Sequence, residues 1–134
     1  MTTASACASV SFAQLPPLGA TFEGDVFAGI TTRPDGTHCA VVLLGAKPSK
    51  RLDWKAAMAW AAEQGAELPA RPVSALLFAN ARDHFEKDWY WTCEAHEHDG
   101  SCAWDQYFDF GGQYLSRKSY EGRARAVRLI PIVS

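Results

Sequence analysis

The stretch that decides the fold spans residues 89–112 and reads WYWTCEAHEHDGSCAWDQYFDFGG. Its first four residues are aromatic or β-branched, which favours a strand. A second strand-like run, residues 103–110, ends at the turn Gly111-Gly112, and a third run, residues 113–118, follows that turn. Residues 124–130 have the same character. The succession predicts three or four short antiparallel strands.

Two short apolar runs, residues 25–31 and 37–44, precede this stretch. Between them stands Arg33-Pro34-Asp35-Gly36, in which proline fixes φ near the value of a turn and glycine permits a positive φ. The pattern predicts a β-hairpin.

The residues between the hairpin and the aromatic stretch change to a helical period. Asp53 suits the N-cap of a helix whose apolar stripe begins at Trp54, and Gly65 suits its end. Pro72 suits the first position of a second helix that continues to Asn80. Helices grouped before a run of strands predict an α+β domain.

Composition narrows the classes of function. The 134 residues are 48% hydrophobic and carry a formal charge of −2, which suits one domain with a core. No basic excess points to nucleic acid or to an anionic membrane surface, and no run approaches the roughly 20 apolar residues of a membrane span. The first residues lack the pattern of a signal peptide. We expect residues 1–20 to form an irregular arm, residues 21–134 a single domain made in a cytoplasm, and the cysteines to be reduced.

Several short motifs resemble the bacterial and phage C-type-lectin-like family that is named for the C-terminal domain of a collagen-like bacterial adhesin. They are, in chain order, Trp54 with Ala57, Glu67-Leu68-Pro69-Ala70-Arg71, Trp89-Tyr90-Trp91-Thr92-Cys93-Glu94, Ala103-Trp104, Phe110-Gly111-Gly112 and Arg125-Ala126-Val127-Arg128. The resemblance covers roughly residues 50–130. It implies a C-type-lectin-like fold with an N-terminal hairpin, two helices and short antiparallel strands, and it places Trp54, Trp91 and Trp104 in the scaffold.

Relatives of this kind are phage and prophage proteins, often tail-associated, and the related variable proteins of diversity-generating retroelements display side chains from their last strands. The resemblance therefore implies a virion-associated, non-catalytic binding domain without a cofactor. Two departures are evident: Cys93 stands where the family commonly has serine, and the calcium motifs of animal lectins are absent.

A display surface is expected in the second half of the chain, where tyrosine and glutamine alternate with core aromatics. Tyrosine offers rigid contact area and glutamine offers adaptable hydrogen bonds, the mixture that is typical of paratopes. The candidate ligand-binding residues are Tyr90, Glu94, Gln106, Tyr107, Gln113, Tyr114, Arg117 and Tyr120. The expected partner is a host-surface glycan or protein receptor. The alternative is a virion structural or assembly accessory that contacts another phage protein, and a homo-oligomer is possible in either case.

Cys93, His96, His98 and Cys102 form the pattern C-x2-H-x-H-x3-C, whose residue types suit zinc. On an extended strand His96 and His98 face opposite ways, so a polar loop is the favoured interpretation. A catalytic thiol paired with one of these histidines or with His84 lacks any recognisable oxyanion site. Cys93 and Cys102 flank the loop and can pair in an oxidising medium.

Asp105 and Asp109 are four residues apart, which predicts that they share one face of a strand. We expect that face to be solvated, with Trp104, Phe108 and Phe110 on the opposite face. In the last strand Arg125 alternates with Val127, which predicts that this arginine lies at the surface.

Overall fold

The computed structural model describes residues 9–133, so the first eight positions of the expected arm, Cys7 among them, lie outside the described residues. The chain is an α+β structure with two α-helices and two mostly antiparallel sheets. The helices are α1 (Trp54–Glu63) and α2 (Arg71–Asn80). The strands are β1 (Val10–Ser11), β2 (Thr21–Phe22), β3 (Asp25–Thr32), β4 (His38–Leu43), β5 (Trp89–Ala95), β6 (Cys102–Tyr107), β7 (Gln113–Arg117) and β8 (Val127–Val133).

The predicted hairpin is confirmed as β3 and β4, which form the middle of a five-stranded sheet in the order β1-β8-β4-β3-β2. Strand β4 is central, and its residues from Cys39 to Leu43 are buried. The apolar run of β4 is continuous rather than alternating because both faces of the sheet are covered.

The N-terminal arm is less irregular than expected. Val10 pairs in parallel with Ile132 of β8 and is only 3% exposed. Its side chain belongs to a cluster on one face of the large sheet, together with Phe27, Val42 and Ile130. The arm therefore contributes to the fold through its described residues.

Helix α1 begins and ends as predicted, and α2 ends at Asn80 as predicted but begins at Arg71, one residue before Pro72. The Asp53 side chain accepts a hydrogen bond from the backbone N–H of Ala56 at 2.8 Å, which satisfies a free donor of the first turn. After α1, Gly65 has a φ of +69°, a conformation that glycine adopts without a steric penalty. Pro72 lies in the first turn of α2, where no helical N–H is required.

Strands β5, β6 and β7 form a separate antiparallel sheet, which holds the candidate site. One face packs on α2 through Tyr90 and Phe108, within a cluster that includes Leu77. The other face packs on α1 through Trp91 and Ala103. This sheet is consequently covered on both sides over much of its area.

Of the helices in residues 9–133, none combines the length and the apolar character that crossing a membrane would require.

Candidate ligand-binding surface

An aromatic cluster lies at the end of the β6–β7 hairpin and consists of Tyr107, Phe110 and Tyr114. The Tyr107 and Tyr114 rings meet edge to face with centroids 5.4 Å apart, and Phe110 lies 5.2 Å from Tyr107 and 6.1 Å from Tyr114. Phe110 is 59% exposed and Tyr114 50% exposed, whereas Tyr107 is half-buried. The cluster is thus a contiguous aromatic surface that water can reach.

The glycine turn holds this cluster in place. Gly111 has a φ of +90°, which turns the chain sharply after Phe110. A Cβ on Gly112 would lie 2.6 Å from Cε2 of Tyr114, so the tyrosine ring lies directly over bare backbone. The two glycines therefore allow an approach that any larger residue would block.

Phe110 was expected in the core, and this expectation is wrong. Strand β6 ends at Tyr107, so the alternation that placed Phe110 opposite the solvated face stops three residues earlier. The sequence signal for the exposure of Phe110 was the glycine pair that follows it, because a turn that begins before Gly111 would expose this ring.

A buried amide network supports the turn from beneath. Gln106 is 1% exposed, and its Nε2 donates to the carbonyl oxygens of Gly111 at 2.9 Å and Tyr107 at 3.0 Å. Its Oε1 accepts from Nε2 of Gln113 at 2.8 Å. The prediction that Gln106 is displayed for ligand binding is therefore wrong. It fixes the hairpin because a buried amide must find partners.

Arg71 connects the same network to β5 and α2. Its Nε donates to Oε1 of Gln113 at 2.9 Å, and its backbone N–H donates to Oε2 of Glu94 at 2.7 Å. Its guanidinium lies over the Trp104 ring, 3.5 Å from the centroid, a cation–π contact. Glu94 and Gln113 therefore line one shallow groove beside Arg71, where they are held by the protein itself.

Tyr90 does not belong to the exposed surface. It is 6% exposed, packs edge to face on Phe85 and Phe108, and its hydroxyl accepts from the backbone N–H of Glu86 at 2.9 Å. Burial raises the pKa of this phenol. The prediction that Tyr90 is displayed is wrong because α2 and the segment that contains Phe85 cover this face of β5.

Arg117 and Tyr120 are exposed as predicted, but they lie at the opposite end of β7 from the aromatic cluster. The backbone N–H of Tyr120 donates to the carbonyl of Arg117 at 2.9 Å, which closes a turn there. With a rise of about 3.3 Å per residue, the two ends of β7 are about 13 Å apart. The expected single display surface is therefore divided, and only Tyr107 and Tyr114 of the predicted set share the cluster.

The Cys/His loop is polar and exposed. The rings of His96 and His98 are 5.9 Å apart, and Nδ1 of His96 accepts from the backbone N–H of Asp99 at 2.9 Å. Sγ of Cys102 lies 3.7 Å from Oδ2 of Asp99. Within residues 9–133, no three His, Cys, Asp or Glu side chains come together in a way that could hold a metal ion.

The cysteines of residues 9–133 are free thiols. Burial, with a smaller contribution from the nearby Glu94 charge, raises the pKa of Cys93 to about 11. A thiol needs a lowered pKa to act as a nucleophile at neutral pH, and Cys93 departs in the opposite direction.

Cys93 is expected to react at least about tenfold more slowly than Cys102 with iodoacetamide in the native protein near pH 8, because only about one Cys93 in a thousand is a thiolate there. Peptide mass spectrometry after timed quenching measures both rates. In urea the two rates should become similar, and equal rates in the native protein would contradict the assignment.

Asp105 and Asp109 do not share a solvated face. Asp105 is fully buried, and its Oδ2 accepts from the Ser116 hydroxyl at 2.5 Å, while its Oδ1 has no hydrogen-bond partner in the part of the chain that the structure describes. Burial raises the pKa of Asp105 to about 6. Asp109 lies beyond the end of β6, exposed, where its Oδ1 accepts from the backbone N–H of Phe110.

Arg125 is also placed differently from the prediction. It is 5% exposed, and its guanidinium donates to the carbonyl oxygens of His84 at 2.5 Å and Leu44 at 2.8 Å. Residues 124–126 lie before β8 begins, so strand alternation does not decide which way this side chain points.

Comparison of the chain with models of protein families gives no match, and comparison with curated proteins gives none either.

Proposed function

We propose that this protein is a non-catalytic binding domain that recognises a host-surface glycan or protein through the aromatic cluster of Tyr107, Phe110 and Tyr114. The observation that carries the proposal is the exposure of Phe110 and Tyr114 beside the half-buried Tyr107, on a turn that is fixed by the buried Gln106 and its partner Gln113. Solvent-exposed rings that touch one another expose apolar area without an internal packing role, which is a mark of a binding surface.

The arrangement suits a sugar ring or a small apolar side chain. The edge-to-face pair of Tyr107 and Tyr114 presents two surfaces at right angles, and Phe110 adds a third ring. The pKa of Tyr107 is raised by burial and by nearby carboxylates, so its hydroxyl remains a hydrogen-bond donor at neutral pH. A ligand can therefore combine stacking with polar contacts while the protein loses little side-chain entropy.

The finer part of the proposal is that the fold is C-type-lectin-like and the protein a phage or prophage component; the element order supports the first, and the sequence resemblance alone supports the second. A hairpin, two helices and a late three-stranded sheet occur in the order that the sequence resemblance implies. In this proposal the scaffold presents the β6–β7 turn as its recognition element and the protein acts as part of a virion. Contact with another virion protein through the same rings is the alternative function, since exposed aromatic area also suits a protein partner.

Alanine at position 107, 110 or 114 is expected to weaken ligand binding about tenfold or more, because each substitution removes a ring that supplies contact area at the centre of the surface. Binding is measured first on a glycan array and on a panel of bacterial cells, and then as affinity for the best ligand found.

The matched control is Tyr120→Ala, which removes another exposed aromatic residue, 54% exposed, at the far end of β7. Unchanged binding in both Tyr107→Ala and Tyr114→Ala would reject this surface. If these variants lose self-association or co-purification with virions but keep glycan and cell binding, the result would favour the assembly role.

A further inference from the structure

A second site lies away from the aromatic cluster, in a cavity of about 310 Å³ beside the segment that leads into β8. Residues 47–51, the region after α2 and residues 123–125 form its walls. Its lining contains five cationic side chains and a single carboxylate, that of Glu86. The cationic residues are Lys47, Lys50, Arg51, Arg123 and Arg125. The chain as a whole carries a formal charge of −2, so this concentration of positive charge is local.

Arg125 is the central feature of the cavity. Its guanidinium is buried, and in the described residues it has hydrogen bonds to two carbonyl oxygens but no ion pair with a carboxylate. Its Nε is buried and has no hydrogen-bond acceptor among residues 9–133. Removing a guanidinium from water without a counter-charge is unfavourable, and here the desolvation lowers the pKa of Arg125. An anion in the cavity would supply the missing charge.

The side chains that line the cavity beside Arg125 add further positive charge and a hydrogen-bond donor. Lys47 and Lys50 have no carboxylate partner among the described residues, whereas Arg51 and Arg123 both bind Asp88. The neutral Tyr90 hydroxyl accepts from Glu86 N–H, and its own proton has no acceptor in the described part of the chain. The cavity wall therefore offers cations and one phenolic donor, both of which are complementary to oxygen atoms of an anion.

We propose that this cavity binds a tetrahedral oxyanion, a phosphate or sulfate group, with Arg125 as its anchor and Lys47, Lys50 and Tyr90 as further donors. Arginine suits an anchor of this kind because it stays charged and its N–H groups form a planar fork that matches two oxygens. Several donors that approach from different sides suit a tetrahedral group better than a planar one. The cavity is large enough for a free ion or for the head of an ester.

The test is isothermal titration calorimetry of the full chain with inorganic phosphate, sulfate, methyl phosphate and acetate at constant ionic strength. Phosphate or sulfate is expected to bind saturably with a millimolar or lower Kd and acetate at least about tenfold more weakly, as for charge-assisted hydrogen bonds. Methyl phosphate distinguishes the two sources, because binding equal to that of phosphate indicates room for an ester.

Variants then locate the site without disturbing the buried arginine. Lys47→Ala/Lys50→Ala is expected to weaken phosphate binding about tenfold, and Tyr90→Phe, which keeps the ring packing, a few-fold. Lys55→Ala removes an exposed lysine of α1 outside the cavity and should have no effect. Tyr114→Ala should also bind phosphate normally, which separates this site from the aromatic cluster.

Three results would overturn the proposal. The first is that neither phosphate nor sulfate binds saturably to the wild-type protein. The second is that Lys55→Ala weakens phosphate binding as much as Lys47→Ala/Lys50→Ala does. The third is that acetate binds as tightly as phosphate. Circular dichroism of every variant verifies that the fold is retained, so that a loss of binding reports on the cavity.

Discussion

Replacing Asp105 with asparagine is expected to change the stability difference between variant and wild type by about 2.5 kcal/mol, in favour of the variant, between pH 4 and pH 8. Asp105 is fully buried, its Oδ2 accepts a hydrogen bond from Ser116, and its Oδ1 has no hydrogen-bond partner among residues 9–133. Burial raises the pKa of this carboxyl from its ordinary value of 3.8 to about 6. The ionised form is therefore disfavoured in the folded protein.

The direction of the pH dependence follows from the proton count. Between about pH 4 and pH 6 the folded state holds the Asp105 proton more strongly than the unfolded state, so stability falls as pH rises. Below that range the carboxyl is protonated in both states and contributes nothing. Above it the carboxylate is charged in both states, and the full cost of burying the charge remains.

Asparagine at position 105 keeps an acceptor for Ser116 and cannot ionise. Its amide N–H groups would lie where Oδ1 is unpartnered, which costs about 1–3 kcal/mol at every pH. The measurement is urea unfolding of variant and wild type at several pH values. The decisive quantity is how the difference between their free energies of unfolding changes with pH. Asp109→Asn, at an exposed carboxylate, is the control. A difference for Asp105→Asn that stays constant from about pH 4 to pH 8 would show that this carboxyl has an ordinary pKa.

The elements that could be predicted are those decided by neighbouring residues. Pro34 and Gly36, two residues apart in sequence, specify the turn between β3 and β4, and Asp53 caps α1 through a hydrogen bond within its own turn. These effects depend on local dihedral preferences and on unsatisfied donors, so they are visible in the sequence. The α+β class follows from the order of these elements.

In the three-stranded sheet of β5, β6 and β7, the direction in which each side chain points could not be predicted in the same way. Alternation identifies a solvated face only when one face is solvated. Here α2 covers one face and the Trp91 cluster the other, so Gln106 and Asp105, neighbours that point in opposite directions, are both buried. Their polarity suggested display, but their hydrogen bonds are internal.

The burial of Arg125 and of Val10 in the N-terminal arm could not be predicted for another reason. The burial of Arg125 depends on carbonyl oxygens of Leu44 and His84, which are 81 and 41 residues away in the chain. Val10 is covered because β1 pairs with the last strand. Long-range pairings of this kind leave no periodic signal in the sequence. Of the candidate surface, therefore, Tyr107 and Tyr114 were identified and Phe110 was missed.

Gly111→Ala is expected to lower the free energy of unfolding by about 3 kcal/mol, from two separate causes. The backbone at Gly111 has a φ of +90°, where any L-residue with a Cβ is strained. A Cβ there would also lie 2.6 Å from Cε2 of Phe78. The Phe78 ring is restricted in its movement, because it packs edge to face on Phe108 and the Arg82 guanidinium lies over it, 3.9 Å from its centroid.

Gly36→Ala separates the two causes. Gly36 has nearly the same φ, +92°, but a Cβ there would meet nothing within 4 Å. Alanine at position 36 should therefore cost about 1 kcal/mol from backbone strain alone, and the excess at position 111 measures the clash with Phe78. Equal losses in urea unfolding at the two positions would contradict the clash.

Phe78→Ala provides the last step, because removing the ring removes the clash but not the strain. In a double-mutant cycle, Gly111→Ala should cost about 1–2 kcal/mol less when position 78 is alanine than when it is phenylalanine. A coupling of this sign would show that the turn carrying Phe110 is held against α2 by close packing. The aromatic cluster would then owe its fixed geometry to a glycine that no side chain can replace, and additive losses would reject that explanation.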